Sequence, residues 1–453
     1  MKKSLLPFIF CSLSVQLYSQ KVWTLEHCLS HAREHNLSIK QAYLTSEISK
    51  KTLFQSKMNL LPSVNGSASD NTNFGRNIDP VTNEITVDRI RNNNFGISSS
   101  VTLFSGFQNI NTIRKNNFDY LASRYDAQKV ANDISVNIVT AYLQLLYNQD
   151  LILVSQQKVD ISDLQVQRVR QKVDLGSLPR GDLLNTEAQK AQEELQLISA
   201  QNQSDLAMLN LKQLLDIPAD EFFEVATLTV DPPSIFQYMN TSEVYQQALQ
   251  NMPEVQSAAL RLQSTERALA IAQASRSPRL SLSASIGTAY SSASQRLVYD
   301  SLFLPPIPTY VDFPFEDQLN ENLNQSISLS LSIPIFNGWR ANTNISQAKI
   351  NVIKLQYTLQ ETQNNLRKII EQAHNDALAA HKKFLAAKKT VEFQSESFQY
   401  SEEKYNLQLI TSYEYNNAKN ILFTAQTDLL QAKYDYMFKI KMLDFYLGNP
   451  LTF

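Results

Sequence analysis

The sequence has 453 residues, with 41 Lys and Arg against 43 Asp and Glu and a formal net charge of −2. That length exceeds one ordinary domain about three-fold, and the charge balance offers no basic footprint for a nucleic acid. The mean hydropathy of −0.27, with no long apolar run beyond the N-terminus, argues against helical membrane spans. Only nine residues are glycine; glycine is costly inside helices, so its scarcity fits long uninterrupted helical segments.

Residues 1–20 read as an export signal: a basic start at Lys2 and Lys3, an apolar run from Leu5 to Leu17, and a small-residue exit at Tyr18-Ser19-Gln20. Processing there leaves the mature chain outside the cytoplasm. Cys11 falls in the removed stretch, Cys28 is left alone, and no intrachain disulfide can form. His27, His31 and His35 follow at spacings of four on the first predicted helix. The spacing could suit a metal ion, but no carboxylate or cysteine cluster completes the set, so surface histidines and no metal or cofactor are expected. His374 and His381, far along the chain, show no partners in sequence.

From here the chain reads as two parallel halves. VTLFSGF at 101–107 answers IPIFNGW at 333–339, HNLSIKQA at 35–42 answers NMPEVQSA at 251–258, and LLPSVNGSAS at 60–69 answers RSPRLSLSAS at 276–285. DLGSLPRGDLLNTE at 174–187 answers NLQLITSYEYNNAK at 406–419. A first repeat over 21–215 is therefore expected to hold a helix near 36–61, strands at about 63–70 and 95–103, a long helix at 105–173, a tip at 174–182 and a helix at 180–215. A linker follows at 216–250. A second repeat over 251–453 holds a helix near 253–277, strands at about 279–288 and 325–335, a long helix at 337–405, a tip at 406–414 and a helix at 411–447.

Between Ser105 and Val173 there is no proline and only Gly106; between Asn337 and Tyr405 only Gly338 interrupts. A helix of that length spans on the order of 100 Å, more than a compact domain can contain. Ile134, Ile138, Ala141, Leu145 and Leu151 recur at near-helical spacing among polar residues, a narrow stripe of the coiled-coil kind. A soluble coiled-coil rod would explain the helices alone. The strands argue otherwise. SISLSLSI at 326–333 alternates Ser with Ile and Leu, RLSLSASIGT at 279–288 does the same, and FGISSSVTL at 95–103 repeats the pattern. Period-two alternation of apolar and small polar residues fits a barrel with lipid outside and water inside. Four strands cannot close such a barrel, since about eight is the practical minimum, and open edges are not tolerated in lipid. Several copies must therefore share one barrel. The polar segments 71–94 and 289–322 would form its external loops, and the run Pro305-Pro306-Ile307-Pro308 argues against regular structure there.

The duplicated helix–strand–strand–helix order, the two corners at 101–107 and 333–339 and the two helix tips together resemble the TolC-type outer membrane efflux protein family, over nearly the whole mature chain. The resemblance implies a mainly α fold with a small β part: a homotrimer whose protomers each give four strands to a transmembrane β-barrel, continued by a periplasmic α-helical barrel. It implies an equatorial belt near 216–250 and the C-terminus. It also implies an exit duct in the outer membrane that passively exports what an inner-membrane pump and a periplasmic adaptor deliver. In that family carboxylates ring the pore at the helix tips. The matching positions are Asp182 and Glu414, a ring that would attract cations. The family's second acidic position is Asn417 here, its basic residue is Ile410, its aromatic is kept as Tyr405, and Gln408 stands where the first tip keeps Gly176. Arg180 is a candidate replacement for the absent cation. Two purely structural readings compete: Thr411-Ser412-Tyr413-Glu414 is also a capping box, and Asp182, after Pro179, could simply offset a helix dipole. A duct for protein secretion and a non-transporting coiled-coil tether are the other functions in view. No nucleophile triad, phosphate loop or paired catalytic carboxylate stands out, and no enzyme is expected.

Overall fold

The computed structural model describes residues 22–78, 85–86, 89–227, 232–233, 236, 240–300 and 307–452. The export signal, Pro305-Pro306 and parts of the 216–250 segment lie outside them. The first repeat runs α1 (Leu25–His35), α2 (Leu37–Met58), β1 (Ser63–Asn73), β2 (Asn77–Ile78), β3 (Ile85–Thr86), β4 (Ile90–Phe104), α3 (Gln108–Asp174) and α4 (Arg180–Leu214). The second runs α5 (Thr241–Asn251), α6 (Pro253–Ala274), β5 (Arg279–Ser291), β6 (Gln295–Asp300), β7 (Ile307–Asp312), α7 (Phe315–Glu321), β8 (Asn324–Ser332), α8 (Arg340–Asn406) and α9 (Ser412–Leu447).

The local chemistry sets these boundaries. Asn36 ends α1, and its Oδ1 accepts from the amides of Ser38 and Ile39, capping α2. Met252 is extended before Pro253, which opens α6 at the helix position where a missing N–H costs nothing. Both long helices begin three residues later than expected, because Gly106-Phe107 and Gly338-Trp339 occupy the left-handed region, with φ of 63–65°. The last strand stops at Ser332 rather than near 335, since Pro334 has no N–H to give. The expected external loop at 289–322 instead carries the β6–β7 ladder and α7, and Pro308 sits within β7, opposite Tyr299. The 216–250 segment is likewise not all linker: it contains most of α5.

The chain forms two compact units. One comprises Leu44–Tyr125 and Glu254–Thr362. Its four-stranded antiparallel sheet has the order β1-β4-β5-β8, so β1 and β8 are its edges. The register sorts the side chains by face. Ser283 lies between Ser100 and Ser328, and Ser285 between Ser98 and Ser326, with the Ser285 and Ser326 hydroxyls 2.8 Å apart. On the other face Leu282 lies between Val101 and Leu329, and Ile286 beside Ile97. On β8 that apolar face is open, with Ile327 82% exposed and Leu329 62%, while α7 packs on its far end through Phe315 against Phe95 and Tyr290. An uncovered face of this kind belongs to a lipid or protein partner.

The other unit comprises the residues up to Tyr43, Asp126–Pro253 and those from Gln363 onward. Its largest core joins Leu25, Cys28 and Leu29 of α1 to Ile138, Tyr142 and Leu145 of α3, Leu211 of α4 and Met437 of α9. Ile138, Leu145 and Leu211 are fully buried, and each such side chain contributes about 1.5–3 kcal/mol. Tyr142 donates its hydroxyl to the Ala226 carbonyl at 2.8 Å, satisfying the one polar atom it takes into this core. Burial pushes the Cys28 thiol up to about 12, so it acts as a small apolar side chain. The histidine spacing is explained by ring packing: Trp23 stands 4.4 Å from His27 and 5.1 Å from His31, and His31 stacks on His35 at 4.3 Å. His374 and His381 also have partners, both flanking Phe236, with His381 packed on Tyr436 at 5.0 Å. No helix among the described residues is long and apolar enough to cross a membrane.

Candidate functional site

The two helix tips, both within the helical unit, are built to one plan. At the first, the Ser177 amide donates to the Lys172 carbonyl at 2.8 Å around Gly176, whose φ is 70°. At the second, the Leu409 amide donates to the Lys404 carbonyl at 2.9 Å around Gln408, whose φ is 60°. This is the helix end that favours glycine at the left-handed position. Gln408 adopts it at a cost of about 1–2 kcal/mol in backbone sterics.

Asp182 lies half-buried in the first turn of α4, and Tyr405 half-buried near the end of α8. Both line one cleft of about 380 Å³, together with Val169, Lys172, Thr186 and Thr411. Lys172 sits 5.8 Å from the centre of the Tyr405 ring. Burial first, and the Asp182 charge after it, raises the Tyr405 hydroxyl pKa, against the pull of Gln165 and Arg168. Tyr405 in turn stacks on Tyr415 at 4.8 Å. Ile410 packs with Tyr405 against Phe398, Tyr415 and Leu422. An apolar cluster thus lies beside the second tip.

Glu414 stands apart from that cleft. Its Oε2 accepts from the Thr411 amide at 2.8 Å and from the Thr411 hydroxyl at 2.9 Å, while its own amide donates to Thr411 Oγ1 at 3.2 Å. The capping box is therefore present in full. Its backbone and hydroxyl bonds to Thr411 hold the Glu414 carboxyl below the usual glutamate range. The side chain is nevertheless exposed, as are Asn417 and Arg180. The structure thus brings Asp182 and Tyr405 together and leaves Glu414, Asn417 and Arg180 on open surface.

Cations elsewhere tie the helices. Arg170 meets Glu187 at 2.8 Å between α3 and α4, and Arg168 meets Glu402 at 3.8 Å between α3 and α8. Deeper in the bundle, Lys419 of α9 meets Glu193 of α4 at 2.8 Å, with both side chains 1% exposed. Sequence reasoning passed over this pair. The signal was a lysine within the stripe Tyr415, Lys419, Leu422 and Phe423, every member of which is buried.

Duplicated halves, an open sheet of four strands and paired helix tips define a family, and the family profile described as "Outer membrane efflux protein" matches residues 28–216 and 244–449, one segment per repeat. The chain belongs to the outer membrane efflux protein family. Among curated members it is 23% identical to the outer membrane protein TolC of Escherichia coli, over 67% of this chain and 58% of that one. It is 26% identical to the alkaline protease secretion protein AprF of Pseudomonas aeruginosa, over 73% of this chain and 67% of that one. The match thus spans little more than half the length of TolC. Among solved structures, the outer membrane channel CmeC of Campylobacter jejuni superposes with a TM-score of 0.77 at 17% identity, covering 94% of this chain and 85% of that one. As an outer membrane efflux protein the chain has the fold of a channel.

Proposed function

We propose that this outer membrane efflux protein is the exit duct of a tripartite system, passing substrates received from an inner-membrane pump through a periplasmic adaptor. It supplies no catalytic step. The observation that carries the reading is the open sheet β1-β4-β5-β8, with serines on one face and exposed Leu and Ile on the other. That pattern suits a barrel wall between water and lipid. Its two unpaired edges require further copies of the chain, and a homotrimer would give a twelve-stranded barrel. The long helices then extend into the periplasm, where the tips form the entrance. Six carboxylates, Asp182 and Glu414 from each copy, line it and favour cations. The likeness to AprF supports a second reading, a duct for secreted protein; deletion of the partner pump distinguishes the two by whether a polypeptide or a small molecule is retained.

The test is single-channel recording of the purified protein in planar bilayers. Small, cation-selective steps are expected from inserted oligomers. Replacing Asp182 and Glu414 together with Ala should weaken cation preference and block by multivalent cations. Unchanged selectivity in that double variant removes the carboxylate ring; oligomers that insert but never conduct point to a duct sealed until its adaptor binds, and failure to insert returns the chain to a structural tether.

A further inference from the structure

The buried charges between α3, α4 and α9 have no part in the apolar packing around them. Lys419 follows Tyr415 and precedes Leu422 and Phe423 on one buried stripe of α9, where leucine would satisfy the packing. Its ammonium instead meets the Glu193 carboxylate at 2.8 Å. Lys419 also donates to the Ser162 hydroxyl of α3, and that hydroxyl donates to Glu193. Gln189 donates to the other Glu193 oxygen at 2.8 Å. On the rim, Lys158 of α3 donates to Gln196 at 3.2 Å and lies 6.0 Å from the Phe423 ring. Desolvation lowers the Lys158 pKa, opposed by Glu193 and assisted by Lys419.

A dry ion pair adds little net stability, because taking two charges out of water offsets their attraction. What it adds is registry. A leucine stripe tolerates sliding or rotation, whereas an ammonium among apolar groups has one acceptable position, opposite its carboxylate. A single buried polar residue fixes register in coiled coils for the same reason. Lys419 lies about 7.5 Å of helix rise beyond Glu414, and Glu193 about 16 Å beyond Asp182. The tie thus lies about one and a half helical turns from Glu414 and about three from Asp182.

We propose that Glu193 and Lys419, joined through Ser162, are positioning residues that hold the α9 tip against the α3–α4 pair and so set the resting aperture. This rests on the duct reading above. Widening the tips by shifting one helix pair against the other requires this pair to part or to carry its three helices along together.

The test uses the full-length protein. Glu193→Gln and Lys419→Met each leave one buried charge unanswered, and should raise the resting conductance or the frequency of opening roughly ten-fold. The charge swap Glu193→Lys with Lys419→Glu should return it toward the parent value, with the proposed oligomer retained throughout. Singles that conduct as the parent, or a swap as leaky as the singles, overturn the proposal; the latter would assign the pair a packing role only. Should the single variants fail to assemble, Ser162→Ala keeps both charges and removes the link to α3. An intermediate rise is expected, and parental behaviour overturns the tie. A second readout separates this proposal from the duct reading. Spin labels at exposed Leu184 of α4 and Tyr413 of α9, diluted with unlabelled chains, report the distance between the tips. If no form conducts, the duct reading falls, yet a distance distribution that broadens in Glu193→Gln and narrows in the swap still upholds the tie, and one that never changes sinks it.

Discussion

At the scale of single residues, the tip shows that a capping carboxylate can stay open to solvent. Glu414 bonds to the Thr411 amide and hydroxyl and caps α9, yet its side chain stays exposed. The cap therefore does not compete with the proposed place in an entrance ring. It changes the pH at which that charge disappears. Because the folded pKa is depressed by the Thr411 amide and then by its hydroxyl, the capping contribution is present above the unfolded glutamate value of about 4.3. It is lost as pH falls through the lower folded value. In Thr411→Val, which removes the hydroxyl bond, selectivity should fade at a higher pH. Reversal potentials measured across an acid series check this, and coincident midpoints for parent and variant would refute it. The capping box could be read from four adjacent letters because its partners are local. Glu193 and Lys419 could not, because distant segments must pack before their side chains meet, and each alone looks like one more polar residue on a long helix.

At the scale of elements, the strands were the most legible part of the chain. Their period of two survives in the register, which sets Ser against Ser and Leu against Leu or Val across the ladder. Their ends were less so. The Gly106-Phe107 and Gly338-Trp339 corners consume residues that look helical, since the letters do not reveal two successive left-handed positions. β6, β7 and α7 hid in a stretch whose prolines and polar residues mask any periodicity. The face assignment makes a paired prediction on β8. Leu329→Lys puts a charge on the face assigned to lipid, at a cost of about 2–4 kcal/mol near the bilayer midplane. Ser330→Lys puts the same charge on the face assigned to water. The first should deplete inserted, heat-modifiable oligomer from outer membranes, and the second should leave its amount near the parent level. Equal loss from both would mean that the sheet does not separate lipid from water.

At the scale of the whole molecule, the duplication predicts how copies would join in the proposed oligomer. Overlaying the repeats by Pro62 on Pro278 and Phe104 on Phe336 carries the observed pair Ser63↔Ser100 onto Arg279↔Ser332, which is also observed. The two ladders are thus copies of each other in register as well as in sequence. The same overlay carries the β4–β5 pair Ser100↔Ser283 onto Ser332 opposite Ser67, the two open edges, which only a second copy can bring together. The corners agree. A Cβ on Gly106 would come 2.4 Å from the Ser277 Cβ, so that corner is covered, whereas Gly338 has nothing within 4 Å. The repeat equivalent of Ser277 is Leu61, which is 60% exposed and would cover Gly338 of the next copy. Ser67→Cys with Ser332→Cys should therefore oxidise to covalent trimers without cysteines added elsewhere, and neither single variant should. Ala68→Cys with Ser332→Cys is the control: a slip of one residue points adjacent side chains to opposite faces, so its yield should be far lower. Denaturing gels under oxidising and reducing conditions give the answer. Equal yields from the two pairs would reject the register, and a ladder that stops at dimers would reject closure by three copies.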